Sequence, residues 1–186
     1  PHIYRDDEID DLLAAAGRLG PAGSIRPFTY ETLFGLMAST GLRISEAIHL
    51  RDADVDLKRG MLTIRQTKFA KSRQLPIHPS TVKALVRYRK QRELHLPTTE
   101  GMPFLIGSRG RRLGLPLSER QAHRVFTGLR DGLGWVNRGG HDAPRLHDLR
   151  HTFAVRRLVR WYADGADVDQ KMLALSTYMG HAEIFY

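Results

Sequence analysis

Residues 60–78 change the hydrophobic period of the chain, and this change constrains the fold more than any other feature. Leu62 and Ile64 alternate with polar neighbours, and the segment QLPI alternates again after a polar, basic tip. Alternation with period two is typical of a half-buried strand, and two such runs around a polar tip predict a β-hairpin. The predicted hairpin carries three cations: Lys68, Lys71 and Arg73.

Outside the hairpin, apolar residues recur with helical spacing. The segment DDEIDDLLAAAGRLG begins with acids, which suit a helix N-terminus, and Gly20-Pro21 ends it. Further helices are predicted from about residue 29 to Gly41 and at 45–50, 79–94, 117–129, 146–162 and 168–179. PFLI at 103–106 predicts one more strand, and 128–140 a glycine-rich loop. The predicted fold class is mixed α+β, mainly α-helical with a small antiparallel β-sheet.

Composition narrows the class of protein further. The chain has 186 residues, 41% of them hydrophobic, which is enough for one globular domain with a real core. Cysteine is absent, which excludes disulfides and thiolate metal sites and fits a reducing compartment. No apolar run reaches the roughly 18 residues that a membrane span needs, and the N-terminus is acidic rather than signal-like. We therefore expect a cytoplasmic protein.

The charge balance favours a polyanionic partner. Lys and Arg number 29 against 20 Asp and Glu, a formal net charge of +9. Cationic side chains that neutralise phosphates release counterions and steer association with nucleic acid. Many basic proteins bind no nucleic acid, so the charge supports this hypothesis without establishing it.

The segment HDLRH places His147, Arg150 and His151 on one face of a predicted helix, because residues three and four apart are neighbours there. Guanidinium groups bind phosphate oxygens, and imidazole exchanges a proton near neutral pH, so one hypothesis is phosphate chemistry. A second is a solvated basic face. A third is a metal site with His181 or His141 as the third ligand. Arg150 lies on the same face and would repel a divalent metal cation, which disfavours the metal site.

The roles predicted for three further residues depend on where these residues lie relative to the predicted helices and hairpin. Arg43 follows the predicted helix end at Gly41, and Glu46 is near enough to orient it or simply to form a helix pair. Lys68 near the hairpin tip is solvated by default. His181 follows a predicted helix C-cap, where a histidine also interacts favourably with the helix end.

In this order, TGLRISE, TKFAKSRQLPI, HDLRH and MGH resemble the catalytic domain of the tyrosine recombinases, the phage-integrase family. The resemblance runs from about residue 30 to residue 183 and implies the DNA breaking-rejoining fold. It carries catalytic roles to five positions of this chain. They are Arg43, Lys68, His147, Arg150 and His181.

The resemblance also implies a reaction. A tyrosine hydroxyl attacks a DNA phosphodiester, which gives a 3′-phosphotyrosyl intermediate and a free 5′-hydroxyl and needs neither ATP nor another cofactor. Arg43 and Arg150 stabilise charge on the phosphate, Lys68 protonates the leaving oxygen, His147 takes the tyrosine proton and His181 hydrogen-bonds the phosphate. Lys71 and Arg73 are expected to contact the DNA backbone. The implied partners are double-stranded DNA and further recombinase protomers, a tetramer in the active synapse.

Two departures from the family pattern shape the expectation. The nucleophile usually lies nine residues after the last histidine, near position 190, whereas Tyr186 lies five after His181. The chain also has no room for the helical DNA-clasping domain that usually precedes the catalytic one. Residues 1–186 are therefore expected to form a catalytic domain truncated at both ends, which binds DNA without cutting it.

Three other functions stay open at this point. A non-catalytic DNA-binding protein would keep the same fold, and a metal-dependent hydrolase would use His147 and His151. A type IB topoisomerase would share the chemistry without a specific partner site.

Overall fold

The computed structural model describes residues 1–65, 72–108 and 110–180. Within these ranges the chain is mainly helical with a small antiparallel sheet, which confirms the predicted fold class. The helices are α1 (Asp6–Ala16), α2 (Arg26–Thr40), α3 (Ile44–Ile48), α4 (Pro79–Glu93), α5 (Glu119–Leu133), α6 (Asp148–Ala163) and α7 (Val168–Met179), and the strands are β1 (Val55–Asp56), β2 (Met61–Arg65) and β3 (Ser72–Pro76).

Helix α2 is the central element of the fold, packed against α1, α3, α4 and α6. Its buried residues, among them Tyr30, Leu33, Phe34 and Met37, lie on several sides of the helix rather than on one stripe. Such a helix has to be enclosed by its neighbours. Gly41 ends it in the left-handed conformation with φ of +66°, which glycine adopts at no steric cost. The predicted helix end is thereby confirmed.

The sheet has the order β1-β2-β3, and β2 and β3 form the predicted hairpin. Leu62 pairs with Leu75 and Ile64 with Arg73 across the two strands. Leu62, Ile64 and Leu75 are buried, so the alternation of the sequence marks the face that packs on the core. Residues 66–71, with Lys68 and Lys71, lie outside the described part. The short strand β1 was not predicted.

Two helix ends and one predicted strand differ most from the expectation. Helix α1 ends at Ala16 rather than at Gly20-Pro21. Helix α5 continues to Leu133, so the glycine-rich loop begins only at Gly134, the left-handed C-cap. PFLI forms no ladder, since only isolated bridges involve Pro103 and Ile106; its apolar residues are buried by tertiary packing instead.

The N-terminal segment fastens the start of the chain to α6. The Tyr4 amide donates to Thr152 Oγ1 at 3.0 Å, and the Tyr4 hydroxyl donates to the carbonyl of Arg145 at 2.8 Å. Both contacts lie next to the HDLRH segment, so they hold the start of α6 in place. Across the described residues, no helix has the length and apolar character that crossing a membrane requires.

Candidate functional site

Arg43 lies at the tight corner between α2 and α3, where the sequence predicted it. It is the N-cap residue of α3 with an extended backbone, two residues after Gly41. Its amide donates to Glu46 Oε2 at 2.9 Å, and its Nη1 donates to Glu46 Oε1 at 3.3 Å. The side chain is 37% exposed, so Glu46 fixes the guanidinium while one side of it stays open to solvent.

Arg150 of α6 is the most enclosed cation of the site, with 3% of its surface exposed. Its Nη1 donates to the carbonyl of Gly41 at 2.6 Å and its Nη2 to the carbonyl of Met179 at 2.8 Å. Burial, together with the neighbouring charge of Arg43, lowers the pKa of Arg150 to about 10. The group is still a cation at neutral pH, and it joins the ends of α2 and α7.

Arg73 of β3 points inward to the same place. Its Nε donates to the carbonyl of Tyr178 at 2.9 Å, and its Nη1 lies 2.9 Å from Glu46 Oε1. Only 12% of the side chain is exposed. Sequence reasoning did not foresee this orientation, although the signal was present: Arg73 is two residues from Leu75 and pairs with Ile64, both on the buried face. Its expected contact with DNA stays a prediction.

Three successive carbonyls at the end of α7 therefore each accept from a different arginine. The carbonyl of Tyr178 accepts from Arg73, and that of Met179 accepts from Arg150. The carbonyl of Gly180 accepts from both Nη1 and Nη2 of Arg43, at 3.3 and 3.4 Å. The last carbonyls of a helix have no intrahelical partner and carry its negative dipole end, which suits cations. We refer to Arg43, Arg73, Arg150 and Glu46 as the arginine cluster.

The arginine cluster carries a surplus of positive charge. Burial alone would raise the pKa of Glu46, but the hydrogen bonds and charges of Arg73 and Arg43 outweigh it and lower the pKa, so the carboxylate is ionised. Three guanidiniums against one carboxylate leave a net charge of +2. An anion brought to Arg43 would reduce this surplus.

His147 and His151 lie next to the cluster at the start of α6. His147 is the N-cap residue rather than a residue of the helix, and it is exposed. The two rings meet edge to face with centroids 5.0 Å apart. Partial desolvation, which His147 undergoes although much of its ring is exposed, lowers the pKa of both histidines. A proton on His151 and the charge of Arg150 lower the pKa of His147 further. Both are therefore largely neutral at pH 7.

The remaining predicted residue near α7 lies just past the described part of the chain. Gly180 is a left-handed C-cap with φ of +71°, which confirms the predicted helix end. His181 follows it directly and, with Lys68, Lys71 and Tyr186, lies outside the described residues. The structure therefore brings Arg43, His147 and Arg150 together and leaves the others as predictions.

Tyr178 is the described tyrosine nearest to the cluster, and its surroundings favour a packing role. Its ring stacks on Phe153 with centroids 5.7 Å apart, and its hydroxyl is 3.5 Å from the carbonyl of Pro76. Burial raises the pKa of Tyr178, which disfavours the phenolate that a nucleophile needs.

A second basic region lies at the other end of α2. A cavity of about 330 Å³ between the starts of α2 and α5 is lined by Arg26, Arg112, Arg120 and Arg124. Since α2 rises about 1.5 Å per residue, this cavity is roughly 20 Å from the arginine cluster. Within residues 1–65, 72–108 and 110–180, no three side chains that ligate metals come together.

The fold is that of the tyrosine recombinase catalytic domains. In this chain three arginines of that fold meet at a helix end, beside a histidine. The chain belongs to the phage integrase family, whose family model matches residues 3–184.

Two relatives and one solved structure illustrate the similarity. The integrase/recombinase y4rB of Sinorhizobium fredii is 41% identical over 187 residues, which cover 99% of this chain and 59% of the relative. Tyrosine recombinase XerC of Thermodesulfovibrio yellowstonii is 31% identical over 91% of this chain and 52% of its own length. The structure of XerH recombinase bound to difH substrate matches with a TM-score of 0.69 at 19% identity, over 98% of this chain and 48% of XerH. The chain thus spans about half the length of the curated relatives it matches, and the XerH match supports the fold alone.

Proposed function

We propose that this chain is the catalytic part of a tyrosine recombinase, which cleaves and rejoins DNA strands in site-specific recombination. The arginine cluster carries the proposal, because it gathers a net charge of +2 in one place. Its arginines come from β3, from the corner before α3 and from α6, and they meet at the end of α7. A phosphodiester gains negative charge in the transition state of its cleavage, and fixed cations stabilise that charge.

The proposed reaction exchanges one phosphate ester for another. A tyrosine oxygen bonds to phosphorus while the bond to the 5′-oxygen breaks, so no external energy source is needed. Neutral His147 takes the tyrosine proton, and Lys68 gives a proton to the 5′-oxygen. His181 hydrogen-bonds a phosphate oxygen. We assign the nucleophile to a tyrosine nine residues beyond His181, in preference to Tyr186.

The two catalytic arginines would act from different depths. Arg43 is partly exposed and meets the phosphate directly. Arg150 is almost fully enclosed, so its charge is less screened by water and acts more strongly over a given distance. Because Gly41 and Met179 hold its guanidinium, it is positioned before the substrate arrives.

The proposed partners are double-stranded DNA and other protomers of the recombinase, four in the active synapse, in the cytoplasm. The net charge of +9 supports DNA as the partner. The XerH recombinase, which has the same fold, was solved with its difH substrate. Lys71 is proposed to contact the DNA backbone.

Covalent trapping tests the proposal. The full-length protein is incubated with a nicked duplex of its recombination site, and the protein–DNA adduct is isolated and mapped by mass spectrometry. We expect a phosphotyrosine adduct that forms in the presence of chelator. An adduct on Tyr186 would contradict the assigned spacing. Tight binding without an adduct would favour a non-catalytic DNA-binding protein, and cleavage lost in chelator would favour a metal-dependent hydrolase.

A further inference from the structure

We propose that Arg73 is a positioning residue for strand cleavage: it clamps the end of α7 to Glu46 and so sets the orientation of Arg43 and the place of Gly180. The inference rests on the proposed function for its kinetic consequence. Its structural part, the clamp itself, stands on the geometry of β3, α3 and α7.

The clamp joins three elements through one guanidinium. Arg73 leaves β3, its Nε donates to the carbonyl of Tyr178 on α7, and its Nη1 lies 2.9 Å from Glu46 Oε1 on α3. Residues 73 and 178 are separated by 105 positions in sequence, so this contact is a tertiary tie between the hairpin and the last described helix. The tie ends two residues before Gly180, which precedes His181 directly.

Glu46 passes the effect of Arg73 on to Arg43. The same carboxylate oxygen, Oε1, lies 2.9 Å from Arg73 Nη1 and 3.3 Å from Arg43 Nη1. Both guanidiniums therefore form an ion pair with the same carboxylate oxygen. If Arg73 is removed, Glu46 pairs with Arg43 alone, neutralises it more fully and turns it away from an incoming phosphate.

The geometry requires arginine rather than any cation. A planar guanidinium holds Nε and Nη1 at a fixed spacing and directs them to different sides, so it contacts a backbone carbonyl and a carboxylate on different elements at once. A lysine at position 73 supplies one ammonium and holds one of the two acceptors at a time. The variant Arg73→Lys is therefore expected to keep the positive charge but to lose the clamp.

Arg65 provides a matched control on the same hairpin. It lies on β2, where it pairs with Ser72 directly before Arg73, and it carries the same charge. Its side chain is 58% exposed and binds Asp54, not Glu46 or α7. A direct role in DNA attraction through charge alone would make Arg65 and Arg73 behave alike.

The test compares full-length wild type with Arg73→Ala, Arg73→Lys and Arg65→Ala. Single-turnover cleavage of a nicked duplex is measured at saturating DNA, with DNA affinity and melting temperature measured alongside. We expect Arg73→Ala to lower the cleavage rate by roughly 10- to 100-fold, the effect typical of losing a residue that orients a metal ligand. Arg73→Lys should recover only part of the rate, Arg65→Ala should retain it, and DNA affinity should change little.

A double-mutant cycle tests the connection through Glu46. Because Arg73 acts through that carboxylate, Glu46→Gln should lower the rate, and adding Arg73→Ala should lower it little further. Fully additive effects would overturn the proposal. So would a normal rate at saturating DNA combined with weakened binding, since that result identifies Arg73 as a DNA contact.

Hydrogen exchange separates this inference from the proposed function. Without DNA, Arg73→Ala should speed amide exchange in a peptide covering residues 172–180, and Arg65→Ala should not. Unchanged exchange in Arg73→Ala would overturn the clamp even in an active enzyme. If the wild type does not cleave DNA, the proposed function and the kinetic role fall together, and faster exchange still identifies Arg73 as the residue that holds the end of α7.

Discussion

Arg150 combines a structural and a catalytic role in one side chain. It is 3% exposed and binds the carbonyls of Gly41 and Met179, so its removal leaves two backbone acceptors unpaired in the interior. We predict that Arg150→Ala lowers the free energy of unfolding by about 1–3 kcal/mol. The same change should slow cleavage by roughly 100- to 1,000-fold, the effect of removing one transition-state donor.

Thermal unfolding and single-turnover cleavage, at a temperature where the Arg150→Ala variant is folded, measure the two effects separately. Arg150→Lys is the control, because it keeps the charge but does not span both carbonyls. Undiminished cleavage in Arg150→Ala would refute its catalytic assignment.

His147 predicts the pH dependence of cleavage. A general base must be unprotonated, so the rate falls as the pH drops through its pKa. Burial and the charges of His151 and Arg150 hold the pKa of His147 below its ordinary value of about 6.5. The rate at limiting DNA, which reports the free enzyme, should therefore rise with pH, with its half-point below 6.5.

The His151→Gln variant sharpens this pH test. His151 disfavours the protonated form of His147, so its removal should raise the pKa of His147 and move the half-point of the pH profile upward. Arg145 and Asp148 act on the same ring with opposite signs and are unchanged in this variant. A half-point that moves down, or not at all, would show that His147 is not the titrating base.

At the scale of elements, the site depends on how closely the end of α2 approaches α6. A Cβ at Gly41 would lie 2.6 Å from Cδ1 of Phe153, and the residue has φ of +66°. Alanine at position 41 would therefore meet backbone strain and a clash, and it would displace the carbonyl that holds Arg150.

Gly134 offers the matched control, since it is also a left-handed helix C-cap with φ of +63°, but a Cβ added there would have no neighbouring atom within 4 Å. Gly134→Ala should cost about 1–2 kcal/mol of backbone strain and leave cleavage unchanged. Gly41→Ala should cost about 1–3 kcal/mol more through overpacking and also slow cleavage. Equal loss in both variants, measured by chemical denaturation and cleavage assays, would contradict the role of the close approach.

The sequence could predict those elements whose signals are local in the chain. The hairpin, the ends of α2 and α7 and the cap of α5 follow from local signals: alternation, glycine C-caps and Ser118, which accepts from the Gln121 amide. The arginines of the cluster are held by backbone carbonyls that lie 29 to 137 positions away in the chain, and such carbonyls leave no signature in sequence. Motif resemblance found Arg43 and Arg150, whereas the clamp by Arg73 required the tertiary structure.

For DNA binding by the whole molecule, we expect the distribution of positive charge to matter more than the net charge. The net charge is +9, and the basic cavity adds Arg120 and Arg124 at the start of α5, roughly 20 Å from the arginine cluster. Under the proposed function, one duplex would reach both regions, the cluster for cleavage and the cavity for affinity. Loss of the cavity arginines should then weaken binding without changing the chemical step.

The double variant Arg120→Ala/Arg124→Ala removes two positive charges from the cavity. The double variant Arg5→Ala/Arg160→Ala removes the same charge elsewhere and is the control. Arg5 and Arg160 are already paired with Asp7 and Asp164. Each lost phosphate contact should reduce the slope of log affinity against log salt by about 0.9, so the cavity variant should lose up to about 2 from its slope. Fluorescence anisotropy across a salt series measures the slope, and cleavage at saturating DNA should match wild type. Equal slopes in the two variants would mean that net charge alone, and not the cavity, attracts the DNA.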